Sequence, residues 1–334
     1  MSVTSVDVAR AAGVSQATVS RVLHNSDKVG AATRRRVLDA VASTGYSPNL
    51  IARAMKTKRT GTVGVVVSQI TNPFYPEALV ALGRALAAAG QRMVLFDSEE
   101  TEDAALDSIT QGLVDGVIFT SGTTESEALR IALDLGAPVV LLNRSVPGLA
   151  GDQVTSDNAA GAAAVARFLV ELGHRRIGFI GGPALPSTVT ERRQSFASTL
   201  DELGHPLDPT LSRSGPLSYS QGKRGVAELL ALDDPPTAVF CVNDITAFGA
   251  LDAAREAKVS VPGDLSLVGY DDVEMAGWTA FDLTTVRQPV AGMADRAVQL
   301  LMQRILDPAS ATRHERFPAE LVVRGTTAEP GLRS

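Results

Sequence analysis

From Thr62 to Gly269 the chain keeps switching between strand-like and helix-like hydrophobic periods, and that alternation restricts the fold more than any other feature. Val63-Gly64-Val65-Val66-Val67 is an apolar run of strand length, rich in β-branched residues, and reads as a buried strand. A helical pattern over 76–89 follows, then strand 92–96, helix 104–113, strand 116–119, helix 126–135 and strand 138–142. After Asn158 the pattern resumes with helix 159–172, strand 177–180, helices 191–203 and 221–231, strand 238–242, helix 245–257 and strand 265–269. Buried strands separated by helices form a parallel sheet covered on both faces. The sequence therefore predicts two α/β units of similar size in tandem. A last helix at 290–306 and a last strand at 316–323 must pack back onto one or both.

Open parallel sheets bind ligands beyond the carboxyl ends of their strands. The residues expected there are polar: Asn143-Arg144, Asn243-Asp244 and Tyr270-Asp271-Asp272, with Asn72, Pro73, Phe74 and Tyr75 past the first strand. A single Asn or Asp in such a loop is ordinary turn chemistry. The set together, a carboxylate with amides and aromatics, fits a cleft for a small polyhydroxylated ligand.

The first 60 residues have a different texture. Val6, Ala9 and Ala12 fall at helical spacing, and Thr4 with Asp7 forms a capping box. Gly13 supplies a turn and Ser15 caps a second helix over 16–23, with Val19, Val22 and Leu23 inward. Gln16, Ala17, Thr18 and Arg21 are left on its outer side. Two short helices around a glycine, the second bearing small polar residues and an Arg, have the form of a DNA-reading helix-turn-helix, although two helices of an ordinary bundle would read the same way. A third helix over 31–43, with Val37, Leu38 and Val41 inward, completes a small bundle, and Asn49 caps a short helix over 50–56.

Charge separates the same regions. Residues 1–60 hold ten Lys/Arg and three acids, a net +7, whereas the chain as a whole is −6, so the remainder is −13. A basic head can neutralise phosphates while an acidic body stays off them. The single Cys241 excludes an intrachain disulfide and suits a reducing cytoplasm. No apolar run is long enough for a transmembrane helix, and the first residues lack a signal-peptide pattern. An enzyme is disfavoured: no Gly-x-Gly-x-x-Gly follows the first strand, Gly222-Lys223 lacks the rest of a phosphate loop, and no His-Glu-x-x-His or Gly-x-Ser-x-Gly occurs. One Cys and four scattered His give no zinc constellation. No catalytic residue, metal or cofactor is expected. A periplasmic sugar-binding protein fits the body, but the basic head argues against it.

The ordered motifs then acquire a common context. They are 6–15 with Thr18-Val19-Ser20-Arg21, Gly45-Tyr46-Ser47-Pro48-Asn49, Thr71-Asn72-Pro73-Phe74, Val114-Asp115-Gly116-Val117-Ile118 and Asp157-Asn158. They continue through Leu172-Gly173-His174-Arg175-Arg176-Ile177, Asn243-Asp244, Gly269-Tyr270-Asp271-Asp272 and the stretch 321–326. At this spacing the chain resembles, over nearly its whole length, bacterial transcription regulators of the lactose-repressor (LacI/GalR) family. The resemblance implies an α/β protein with a helix-turn-helix domain at 1–48, a hinge helix and linker at 49–60, and a core at 61–330 like that of periplasmic sugar-binding proteins. The core would have an N-subdomain (about 61–159 and 288–317) and a C-subdomain (about 160–287 and 318–330). It also implies a cytoplasmic homodimer on near-palindromic double-stranded operator DNA, with affinity changed by a small effector, a sugar or sugar-like acid.

By position, Thr4, Ser15, Gln16, Ala17, Thr18, Arg21 and Thr33 would contact DNA. Arg21 is the leading base reader, because a guanidinium pairs with guanine through two bonds. Asn49, Ala52 and Met55 would act at the hinge, with Ala52 and Met55 facing the minor groove and Met55 standing where the family usually has an intercalating Leu. Phe74, Asn143, Arg192, Asn243, Asp271 and Gln288 would contact the effector. The sequence departs from the family at His24, where Asn is common, and at Gly30, which replaces a Ser cap. Leu217 stands where many members place an aromatic ring, with Tyr219 close by. No heptad extension follows Arg324, so a dimer rather than a tetramer is expected.

Overall fold

Capping chemistry sets the first helices. In the computed structural model, which describes residues 3–23, 28–46, 59–98 and 102–331, Thr4 Oγ1 accepts from Asp7 N and Asp7 Oδ2 accepts from Thr4 N at 3.0 Å, so helix α1 (Ser5–Ala12) begins with a complete capping box. Gly13 ends it at φ 63°, a left-handed conformation that glycine adopts without steric cost. Helix α2 (Gln16–Leu23) follows, and α3 (Ala31–Thr44) starts at Gly30 with no side-chain cap. Val8, Ala9, Ala12, Val19, Val22, Val37 and Ala40 form the small core of this unit. One expected inward residue is not there: Leu38 is exposed, at 49%, and Val6, at helical spacing with Ala9 and Ala12, is exposed as well, at 47%. On α1 the buried stripe is Val8, Ala9 and Ala12, and Val6 lies about 200° around the helix from Val8. On α3 the stripe is Val37 and Ala40, and Leu38 is one position off it. The expected helix over 50–56, with Asn49, Ala52 and Met55, lies outside the described residues, as does His24.

The chain divides into two compact units between Thr60 and Gly61. The second unit contains a six-stranded parallel sheet in the order β11-β5-β4-β3-β1-β2. Its strands are β1 (Thr62–Val67), β2 (Arg92–Asp97), β3 (Gly116–Phe119), β4 (Val139–Leu142), β5 (Asp152–Ser156) and β11 (His314–Phe317). Helices α4 (Phe74–Ala88), α5 (Glu102–Thr110) and α6 (Glu127–Asp134) connect the first four strands. A second parallel sheet, β7-β6-β8-β9, consists of β6 (Ile177–Gly181), β7 (Ser212–Ser214), β8 (Ala238–Cys241) and β9 (Ser266–Val268). Around it lie α7 (Asn158–Glu171), α8 (Ser187–Glu202), α9 (Tyr219–Leu230) and α10 (Asp244–Glu256). Helices α9 and α10 approach closely at Gly222, where a Cβ would come within 1.8 Å of the Thr246 carbonyl oxygen. The chain crosses between the sheets after β5, before α11 (Val290–Leu306) and again after β11.

The structure corrects the sequence reading in four places. The expected single strand at 316–323 is two: β11 joins the first sheet, and past Pro318 β12 (Glu320–Val322) pairs antiparallel with β10 (Thr285–Arg287). β5 was not expected, because Asp-Gln-Val-Thr-Ser is polar. Its polar groups are buried but tied, with Asp152 to Arg304 at 2.9 Å and Gln153 to the Val146 N–H at 2.8 Å. The short polar strands β7 and β10 escaped for the same reason. Helix α8 starts at Ser187, four residues before the expected start at Glu191, and its added first turn faces the cleft.

Candidate functional site

On the first unit, the expected DNA-contact residues cluster on and beside α2. Ser15 Oγ caps the helix, accepting from Thr18 N at 3.2 Å, and lies 2.9 Å from Thr18 Oγ1. Gln16 Nε2 donates to Ser5 Oγ at 2.8 Å. Ser15, Gln16, Ala17 and Arg21 are exposed, Thr18 and Thr33 are half-buried, and Thr4 sits exposed at the start of α1. Polar tips are thus displayed at one helix end while Val19 and Val22 hold that helix down from behind. A recognition helix needs this division, with rigidity from one face and donors and acceptors on the other.

In the second unit, five of the six expected effector residues line one cleft at the carboxyl ends of the strands: Phe74, Asn143, Arg192, Asn243 and Asp271. Gln288 stands behind them, donating from Nε2 to Asp271 Oδ1 at 2.7 Å and accepting from Ser156 Oγ at 2.7 Å. All six are buried. Tyr75, Arg144, Thr188 and Leu217 complete much of the lining. Tyr219 turns away and bonds Asp252 on the outer surface. Of the lining residues left out of the expected set, Arg144 and Tyr75 were visible at strand ends, whereas Thr188 gave no signal.

The backbone is strained where the chemistry gathers. Asn143 has φ 69° and Asp271 φ 124°, conformations that cost a non-glycine residue roughly 1–3 kcal/mol and persist only when the surroundings impose them. Asn143 is held by its N–H donating to Val154 O at 2.8 Å. Asp271 is held by its N–H donating to Val286 O at 2.8 Å.

Arg192, from α8, is fixed in three directions. Its Nε donates to Asn158 Oδ1 at 2.8 Å, its Nη1 to Val242 O at 2.8 Å and to Asp271 Oδ1 at 3.3 Å, and its guanidinium lies 3.5 Å over the Tyr270 ring. Burial pushes the Asp271 carboxyl up to about 6, against the pull of Arg192, Gln288 and, more weakly, Arg144. Asp244, next to the cleft, is raised well above the usual carboxylate range by burial and by Asp271. It accepts from Thr285 Oγ1 at 2.5 Å and Val273 N at 3.0 Å. Asn243 plays the ordinary part as well as its cleft position: its Oδ1 caps α10 through Thr246 N at 3.2 Å.

Contacts cross the cleft. Arg144 donates to Thr188 Oγ1, Ser145 N to Ser187 Oγ at 2.9 Å, and Ser145 Oγ to Glu191 Oε1 at 3.1 Å. Farther along the rim, Glu274 N donates to Glu77 Oε1 at 2.8 Å. A larger depression, among Ile109, Leu135 and Pro138, lies at the amino ends of β3 and β4. Its one ionisable residue, Asp115, accepts from Gly61 N, so it lacks both the strand-end position and the donor set of the cleft. Among the described residues no group of His, Cys, Asp and Glu is placed to hold a metal, and no helix is long and apolar enough to cross a membrane.

Residues 5–49 match the family described as "Bacterial regulatory proteins, lacI family", and residues 166–327 match "Periplasmic binding protein-like domain". The chain is 33% identical over 327 residues to the HTH-type transcriptional repressor CytR of Escherichia coli (strain K12), covering 97% of this chain and 96% of that protein. Among solved structures it superposes on the lac repressor dimer bound to operator and the anti-inducer ONPF with a TM-score of 0.84 at 27% identity, covering 98% and 100% of the two chains. It superposes on a complex of the transcriptional regulator CelR with cellobiose with a TM-score of 0.75 at 32% identity, covering 97% and 99%. With a helix-turn-helix at its start, a strand-end cleft in its body and relatives that match both together, the chain belongs to the lacI family of bacterial transcription regulators.

Proposed function

We propose that the protein is a dimeric, sequence-specific repressor whose operator affinity is set by a small carbohydrate-type effector in the cleft. The observation that carries the effector half is convergence: Asn143, Arg192, Asn243 and Asp271 come from four distant stretches and meet, buried, around one space. The CelR–cellobiose likeness supports a sugar in that place. In this reading residues 1–48 read DNA, 49–60 form the hinge with Asn49, Ala52 and Met55 at the minor groove, and 61–330 bind effector and dimerise. The core would divide at about 160, 288 and 318, and the protein would act in the cytoplasm, on the nucleoid when DNA-bound.

An exposed edge supports self-association. β2 ends the first sheet, with Met93, Val94 and Leu95 all exposed, and Val80 and Leu113 add to the exposed apolar residues of this unit. An uncovered apolar edge strand is a liability unless a partner covers it. The superposition on the lac repressor dimer supports a second copy as that partner.

Selecting operators from random duplexes and titrating the best one across salt tests the DNA half. Affinity falls steeply with salt, with a log–log slope of about −0.9 for each phosphate neutralised. Arg21→Ala costs roughly 1–3 kcal/mol and relaxes preference at one position in each half-site. A flat salt response, or unchanged base preference in Arg21→Ala, contradicts the assignment.

A further inference from the structure

We propose that the effector carries an anionic group, a carboxylate or a phosphate, and that Arg144 receives it. This rests on the cleft reading above and narrows its ligand class. The lining holds two guanidiniums, Arg144 and Arg192, and one carboxylate, Asp271. That carboxylate is taken: Arg192 pairs with it at 3.3 Å and Gln288 donates to it. Arg144 is 5% exposed and touches only neutral acceptors, Thr188 Oγ1 through Nη1 and Tyr75 OH through Nη2 at 2.9 Å. Its Nε is buried with no acceptor, and so is the neighbouring Asn143 Oδ1 with no donor.

The other acids near this lip are engaged elsewhere. Glu191 accepts from Ser145 Oγ and Asn158 Nδ2, and Glu77 from Glu274 N. A buried guanidinium whose nearby counter-charge, Asp271, is already paired with Arg192 is costly, and a sugar hydroxyl placed at Nε would supply a hydrogen bond but no second negative charge for the two guanidiniums. A carboxylate or phosphate supplies both, and the guanidinium fork matches its oxygens. Asn143 can turn its amide so that Nδ2 donates to the same anion. The opposite wall, with Asp271 and Asn243, is left to receive the hydroxyls of the same molecule. The geometry therefore points to a polyhydroxylated anion lying across the cleft, charged end at β4 and hydroxyl end at β9.

The test compares thermal unfolding and calorimetric titration at constant ionic strength for the wild type and for Arg144→Met, Asn143→Asp and Asp271→Asn. The probes are inorganic phosphate, acetate, D-glucose, D-gluconate, D-glucuronate and D-glucose 6-phosphate. In the wild type, phosphate or acetate raises the unfolding midpoint above the chloride control, and at least one charged sugar binds more tightly than glucose. The stronger of the phosphate and acetate responses tells a phosphate ligand from a carboxylate one. Arg144→Met removes the preference, a loss of about tenfold or more for the charged sugar. Asn143→Asp, which places a negative charge in the seat of the anion, also removes it, so the proposal stays testable if one variant fails to fold. A wild type with no anion response beyond chloride overturns the proposal. So does a response kept in both lip variants, which marks an adventitious ion only. Charged sugars that bind the wild type no more tightly than glucose, with binding of all of them lost in Asp271→Asn and kept in Arg144→Met, overturn the anionic ligand and leave the cleft reading standing. Sugar binding that survives every cleft variant overturns both.

Discussion

On the wall of the cleft formed by α8 and the ends of β8 and β9, each charged group has its counterpart: Arg192 lies between Asn158, Val242 O, Asp271 and the Tyr270 ring, and Asp271 is backed by Gln288. On the opposite lip, at the end of β4, Asn143 Oδ1 and Arg144 Nε are buried without partners. The first wall is preorganised, so it receives a ligand without reorganisation and fixes its pose. The second is incomplete until something is bound. Only an interaction that differs between two arrangements can shift an equilibrium between them, so the incomplete lip is where ligand energy is available to favour one closure state.

The largest effect is expected from breaking the complete wall. Arg192→Met leaves the buried Asp271 carboxyl with the Gln288 hydrogen bond and only the weaker pull of Arg144, and Asp271→Ala leaves the Arg192 guanidinium buried without its ion-pair partner. Removing one member of a buried pair destabilises by about 3–5 kcal/mol. The double variant Arg192→Met with Asp271→Leu recovers part of that loss, because neither charge is then buried. Urea unfolding of the three variants checks this. Equal stability of the single variants and the wild type means that the pair is not preorganised as described.

A smaller effect follows from the Asp271 carboxyl, which burial pushes up to about 6 from an ordinary value near 3.8. The folded state therefore holds this proton more tightly than the unfolded chain. The stability it contributes is present at low pH and is lost as pH rises through about 6, a span of roughly 1–3 kcal/mol. Asp271→Asn removes this component from the stability–pH profile. Ligand binding moves the other way: below about pH 6 hydroxyls that donate to the carboxylate meet a neutral acid, which is a weaker acceptor with one oxygen turned donor, so effector affinity falls on acidification. An effector affinity that is flat from neutral pH to about pH 5 rules out Asp271 as a charged acceptor.

How much of this contrast was legible in the sequence depends on what each residue needed from its neighbours. The parallel sheets followed from hydrophobic period alone, because a buried strand must be apolar on both faces. β5 did not, because its polar groups are compensated by Arg304, distant in sequence, and by the Val146 N–H in the loop just before the strand. Asn143 and Asp271 stood out as polar residues at strand ends, but their positive φ was invisible. Arg144 was visible beside Asn143, yet its sharing of the Asp271 carboxylate with Arg192 is a fact about three dimensions. Thr188 was hidden because Ser187-Thr188-Val189-Thr190, polar and β-branched, is weak helix sequence, and only packing extends α8 through it. On α1, the spacing of Val6, Ala9 and Ala12 does not reveal that Val8 is buried and Val6 exposed, because a helix of eight residues offers too few positions to fix the phase of its apolar stripe.

The smallest expected effect tests how the two walls are held together. Ser145 N, on the incomplete lip, donates to Ser187 Oγ, in the first turn of α8, at 2.9 Å. Ser187→Ala removes one neutral hydrogen bond and leaves a half-buried N–H, a loss of roughly 0.5–1.5 kcal/mol. If that bond belongs only to the closed arrangement, the variant spends less time closed. A ligand that prefers the closed arrangement must then supply the difference, and its affinity falls by a few-fold to about tenfold. Operator affinity measured without ligand shifts in the direction opposite to the ligand's own effect, whichever sign that effect has, because both report one equilibrium. Global stability that falls while ligand and operator affinities stay at wild-type values assigns the bond to the fold and not to closure. The contrast between the walls then concerns ligand recognition alone.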